Sequence, residues 1–169
     1  PWTDFTNAKN ANRRMTYLVT ATEVLRSHLV TVSEEWNPAS YDGGAGEFFV
    51  RSPARIIGSI MTGIASIAGR EIASERLAAA IRSGSQEDER SCFSDTTHND
   101  LVANMEGLEA ILFGKFTSKS GKVVIDGKGM IDIIASADKE HADRMKAQFL
   151  TAKMHIEAIP TPFDQVIVA

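Results

Sequence analysis

A chain of 169 residues with 18 basic and 22 acidic side chains, 43% hydrophobic and 24% charged, has the usage of an ordinary globular protein, long enough for one good core or one domain plus an extension. Its net charge of -4, spread over the whole length, excludes the basic footprint of a nucleic-acid partner. The single cysteine, Cys92, excludes an intrachain disulfide and reads as a buried thiol.

From Asn7 to Trp36 the residues Met15, Leu18, Val19, Thr22, Leu25, Leu29, Val32 and Trp36 recur every three or four positions, which predicts one long amphipathic helix. Asn37-Pro38 stops it. The following stretch to residue 52 carries three glycines and the pair Phe48-Phe49, and predicts a surface connection docked by its aromatics. Ser52-Pro53 is a helix start, with proline at the position where its missing N–H costs nothing, and the helix is predicted to run to about residue 82. Ile57, Ile60, Ile64 and Ile67 form a packing seam on it, beside a stripe of small residues at Gly58, Thr62, Ala65 and Gly69. Continued by the same steps, the seam reaches Glu71 and Ser74, with Glu75 one turn beyond Glu71. A carboxylate thus enters the core stripe, where it needs a proton, an arginine or a cation unless the packed region has ended.

Residues 86 to 100, QEDERSCFSDTTHND, gather five carboxylates, the cysteine and one of four histidines without any hydrophobic period. Their polar groups must face water, each other or a bound cation. Leu101, Val102, Met105, Leu108, Ile111 and Leu112 then predict a helix near 98 to 113, capped by Asp95, Thr96 or Thr97 and ended at Gly114. FTSKSGKVVIDGKG reads as a small hairpin or an irregular loop. A short helix and a longer one near 137 to 158 follow, broken at Pro160 and Pro162, and PFDQVIVA reads as the opening turns of a further helix. The architecture expected is all-α: a long helix over 1–36, a surface loop over 37–52 and a helical bundle over 53–169, with facing apolar stripes that call for further segments to complete it.

For chemistry, Glu71 and Glu75 stand one α-helical turn apart, and the loop carrying Glu87, Glu89, Asp95, His98 and Asp100 can fold over them. Carboxylates with one imidazole suit iron, manganese or zinc; a soft site would take Cys92 as thiolate. The other reading of the same residues is caps and ion pairs that shape a loop, with Arg90 holding Glu87 or Asp95. A zincin site would show HExxH, which is absent, and Ser91, Ser94 or Cys92 with His98 lacks the strand-turn-helix elbow of a nucleophile. His28, His141 and His155 read as surface or edge residues, and Trp36 and the phenylalanines as core or loop anchors.

Three blocks in order, PWTDF followed by Asn12-Arg13-Arg14, then GREIASERLAAAIRSGSQEDERSCFSDTTHNDL, then IPTPFDQVI, resemble the imelysin family. That resemblance implies two related helical bundles behind a bacterial leader, a classification among metallopeptidases and a link to iron acquisition. It makes this chain the second bundle and its junction, incomplete at both ends, because the family's GxHxxE motif is absent and the opening residues lack a signal peptide's apolar core. Members often carry histidine at the position of Arg90, a departure that removes one candidate ligand.

The resemblance implies a periplasmic or outer-membrane-associated protein in metal uptake, with iron as the cargo. Its polar site would lie between two bundles, formed by Glu71, Glu75, Asp95 and His98 and supported by Glu87, Glu89, Arg90, Ser94 and Asp100. It also implies a divalent metal, iron or zinc, as cofactor, and the remaining segments of the same protein as partners. A metallopeptidase and a non-catalytic ligand-binding or interaction protein are the alternatives. No uncharged apolar run approaches the roughly 20 residues that cross a bilayer, so no transmembrane segment is expected.

Overall fold

In the computed structural model, which describes residues 2–37, 39 and 44–168, helices dominate and one two-stranded ribbon is the only sheet among the described residues. The all-α expectation therefore holds. Pro38 and residues 40–43, which carry the predicted helix stop and part of the connection, lie outside the described residues, as does Ala169 at the end of the expected final helix. The chain divides into two units, Pro1–Ile56 and Ile57–Ala169.

In the first unit a 3-10 turn, Trp2–Phe5, precedes α1, Ala11–Glu35. The Asn10 side chain accepts a hydrogen bond from Arg14 Nε at 2.9 Å, and Arg14 also reaches Asp4 at 3.7 Å, so the predicted helix starts on a small polar cluster. Its apolar stripe is present as drawn from the period but stays exposed: no residue of α1 is buried. The connection after it contains a short helix, α2, Gly44–Phe49, which the glycine count concealed. Phe48 docks on Trp36 with ring centroids 5.5 Å apart, whereas Phe49 is exposed, so one of the two phenylalanines is an anchor and the other is not.

α3 begins at Pro53 and runs to Ala65, and the same continuous helix extends to Ser83. By length and composition it alone among the described helices could cross a membrane, yet its second half is charged and buries Ile72 and Ala80 in the core of the second unit. Between α3 and α4, Ala79–Ser83, lies a π-helical segment of 13 residues, Ser66–Ala78. Each π turn holds one more residue than an α turn, which shifts the phase of everything after it. The seam that α-helical stepping carries from Ile64 and Ile67 to Glu71 is therefore carried to Ile72 instead, 3% exposed, and then to Leu77. Glu71 lies at the edge of the packed stripe, half-buried. Burial of an isoleucine contributes about 1.5–3 kcal/mol, a reason for the register to favour Ile72 over its acidic neighbour.

α5, Thr97–Phe113, is the central helix of the second unit and buries Thr97, Leu101, Met105, Leu108 and Leu112, one face at spacings of four and three. Leu101, Met105 and Leu108 pack with Ile72 and Ile156. α5 ends at Gly114, whose φ of 66° is the left-handed cap conformation. The FTSKSGKVVIDGKG segment is a hairpin: β1, Lys115–Thr117, pairs antiparallel with β2, Val124–Asp126, placing Phe116 opposite Ile125. The hairpin returns to its starting point so closely that a Cβ on Gly129 would stand 2.2 Å from the Leu112 carbonyl oxygen, so only glycine fits there. α6, Met130–Ala137, and α7, Lys139–Glu157, are the expected short and long helices. Asp132 accepts from Gly129 N–H at 2.9 Å and Asp138 from His141 N–H at 2.9 Å, so each helix starts on a carboxylate cap. α8, Phe163–Val166, is a single short turn anchored by buried Phe163.

Candidate functional site

The acidic segment is built from turns that satisfy one another. After α4, Ser85 accepts from Glu87 N–H at 3.3 Å and caps a 3-10 turn, Gln86–Asp88. The backbone N–H groups of Ser94 and Asp95 both donate to the Ser91 carbonyl, at 3.0 and 2.9 Å, and Asp95 takes a φ of 52°, which a short polar side chain tolerates. Ser91 ties this turn to α5: its N–H donates to Thr97 Oγ1 at 3.0 Å and its hydroxyl donates to the Asp100 carboxylate. Thr97 is 1% exposed, so the clasp is rooted in the core. Asp100 in turn holds Asn104 through its carbonyl at 2.5 Å, and Ser94 and Thr96 share a hydroxyl contact at 2.8 Å.

No hydrogen bond joins any two of the four residues expected to converge, and among the described residues they make no metal-holding group. Glu71 accepts from Arg76 Nη2 at 3.1 Å and Glu75 from Arg70 Nε at 3.0 Å, each pair five residues apart. In a π segment, whose backbone hydrogen bonds also span five residues, that spacing brings each arginine within reach of its glutamate. The pairing also holds the Arg70 guanidinium above its ordinary value, through the Glu75 hydrogen bond first and the nearby carboxylate charges second. Asp95 is exposed at the turn, and His98 is half-buried at the start of α5. Of the supporting residues, Glu87 and Arg90 are exposed, and Arg90 makes no ion pair among the described residues, so it holds neither Glu87 nor Asp95. Ser94 and Asp100 belong to the clasp. Cys92 is half-buried and free. Phe93 is wholly exposed, contrary to the expectation that the phenylalanines are anchors.

Three groups stand out. Glu89 is 4% exposed, and neither of its carboxylate oxygens has a partner. Arg76 Nε and His98 Nδ1 are likewise buried without one. Charged groups are almost never buried unless paired, and an uncompensated carboxylate costs several kcal/mol. Sequence reasoning ranked Glu89 only as support, because no hydrophobic period marks which acid of QEDER turns inward. A fourth group links the signature blocks: Gln86 Nε2 donates to Asp164 Oδ2 at 3.0 Å across 78 residues, while Asp164 Oδ1 is buried and unpartnered. The middle and last blocks of the sequence therefore meet in space.

The described residues do not fit a self-contained metal centre. No group of three or more histidine, cysteine or acidic side chains among them is arranged to hold an ion, and the two glutamates of the π segment are already neutralised by arginines. Nor does a hydrogen bond join His98 to Ser91, Ser94 or Cys92 among the described residues, so no nucleophile and base are paired. What the arrangement can do is offer buried, unsatisfied polar atoms to something that completes them.

An all-α protein with a charged π segment and a clasped polar loop is the class that fold and site define. Compared with protein families, the sequence matches Imelysin over residues 1–168, and the chain belongs to that family. No curated protein matches it.

Proposed function

We propose that this imelysin works in metal uptake at the bacterial envelope, periplasmic or associated with the outer membrane, as a binding protein with iron as its cargo. The observation that carries the reading is Glu89, a carboxylate buried in the acidic segment with both oxygens unpartnered. A cation, alone or as the charged part of a complex, is the natural complement to such a group. Further ligands come, on this reading, from other segments of the same protein at the interface between its bundles. Family membership supports the metal connection, and the arginine-bound Glu71 and Glu75 argue against a hydrolytic metal centre built on the π segment.

The test is Glu89→Gln in the full-length protein. Without cargo the substitution removes an unsatisfied charge while keeping the shape, so thermal stability should hold or rise. Iron binding measured by calorimetry should fall at least tenfold. Unchanged iron affinity with an intact fold would remove Glu89 from the cargo site and the reading with it.

A further inference from the structure

The β1–β2 ribbon has two strands, and no third strand covers the far edge of β2 among the described residues. The phase of its ladder shows which groups that edge offers. Ser118 N–H donates to the Val123 carbonyl and Gly127 N–H to the Gly114 carbonyl, both at 2.9 Å, one bond at each end of the ribbon. With Phe116 opposite Ile125, these make Val123, Ile125 and Gly127 the residues whose backbone groups turn toward β1. Those of Val124 and Asp126 turn outward, and no hydrogen bond among the described residues takes them. The side chains of the same stretch are exposed as well, Val123, Val124 and Ile125 by 51%, 66% and 55%. An open edge with apolar side chains is a template for a further strand.

The sequence of that edge specifies which strand. Lys122-Val123-Val124-Ile125-Asp126 is complementary to itself when run antiparallel about Val124. Val124 then exchanges both backbone bonds with its own counterpart, and Lys122 stands opposite Asp126 of the second copy in a further outward-facing pair. Lys122 forms no ion pair among the described residues, and Asp126, reached by Lys115 at 3.5 Å, is still 73% exposed. To join the ladder the Lys122 N–H leaves only a long contact with Ser120 Oγ, at 3.4 Å. On the opposite face Val123 meets Ile125 of the second copy, which already lies across from Phe116. A slip of two residues keeps the backbone phase but sets Lys122 against Val124 or Lys128, so the charges select one register.

We propose that β2 pairs with β2 of a second copy of this chain, antiparallel about Val124, and joins two ribbons into one four-stranded sheet. The contact is independent of the iron reading and of Glu89. Two strands of this length bury less than the roughly 1,200 Å² of a stable complex, so the pair is transient and forms in the millimolar range, above the concentrations of sedimentation. Nuclear magnetic resonance of the chain carrying Leu25→Glu/Leu29→Glu tests it, since that change removes the exposed α1 stripe as a second route to association. The Val124 and Asp126 amides should shift with rising concentration along one saturable curve, and the Ile125 amide, turned to β1, should shift less. Lys122→Asp and Asp126→Lys each set like charges opposite one another, so each alone should weaken the pairing at least fivefold. Mixed in equal amounts the two variants are complementary again, and the shifts should return. The Ser118 and Gly127 amides report whether the ribbon persists. Should Asp126→Lys loosen it, Val124→Pro removes an outward N–H without touching a bond of the hairpin, and should abolish the concentration dependence at Asp126. Shifts independent of concentration, single variants that pair as well as their parent, folded variants whose mixture does not pair, or undiminished pairing by Val124→Pro would each overturn the proposal.

Discussion

Glu71 shows how one side chain decides between two chemistries. Its carboxylate is bonded to an arginine whose side chain is only 12% exposed, so the glutamate acts as the counter-ion of a largely buried guanidinium. Glu71→Gln keeps the shape and removes the charge, leaving Arg76 with a weaker acceptor beside an Nε that already lacks one. The expected cost is about 1–3 kcal/mol, the usual loss when a hydrogen-bonded charge is stranded, read from urea denaturation. Iron affinity should not change. A stable Glu71→Gln protein with weakened iron binding would return this residue to a metal site. The sequence marked Glu71 correctly as a residue needing a partner, and an arginine was among the partners it allowed. The α-helical period pointed to Glu75 one turn on, whereas each of the two glutamates is bonded to an arginine five residues away. Glu89 was illegible for a different reason: in an aperiodic run of acids, nothing local distinguishes the one that turns inward.

At the scale of elements, the π segment is where sequence and structure part, although its signal was present. Ile67, Ile72 and Leu77 are five apart, as are Arg70 and Glu75, and Glu71 and Arg76; a search at periods of 3.6 and 2 passes over them. The hydroxyl of Ser74 donates to the Gly69 carbonyl at 3.1 Å, again over five residues. Elements whose period is ordinary were read well. α5 has a clear apolar face and a terminal glycine, and the hairpin was one of two readings of a turn-rich stretch. A different contact ties α7 to α5: Lys153 is bonded to Glu109, and that hydrogen bond, more than the surrounding carboxylates, raises the lysine above its ordinary 10.5 against the opposing effect of burial. A pKa higher in the folded than in the unfolded state gives stability that is fully present below about pH 10.5 and lost as the pH rises through the folded value. Wild-type protein should therefore lose stability over that alkaline window more steeply than Glu109→Gln, in which the largest cause of the raised value is gone and only the weaker charges of Glu157 and Glu106 remain. Parallel curves from denaturation at several pH values would show that the pair does not couple α5 to α7.

Over the whole molecule, family membership was the most legible property, because its blocks are long and compositionally unusual, and two of them meet through Gln86 and Asp164. Burial was the least legible, since period shows which face of a helix is apolar but not whether anything covers it. Along α1, Leu25, Leu29 and Val32 are 59%, 61% and 52% exposed, Trp36 just after its end is 51% exposed, and no residue of that helix is buried. A stripe of this length in water favours association, because each large aliphatic side chain removed from solvent contributes about 1.5–3 kcal/mol. The chain by itself is therefore expected to self-associate through α1, which sedimentation velocity at rising protein concentration would register as a growing fraction of dimers or larger species. Leu25→Glu/Leu29→Glu places two like charges one helical turn apart on the stripe, where they repel any apolar partner and touch no core. That variant should sediment as a monomer with its helix content unchanged. A wild-type chain that remains monomeric at the highest soluble concentration, or a variant that associates as before, would show that the α1 stripe does not drive assembly.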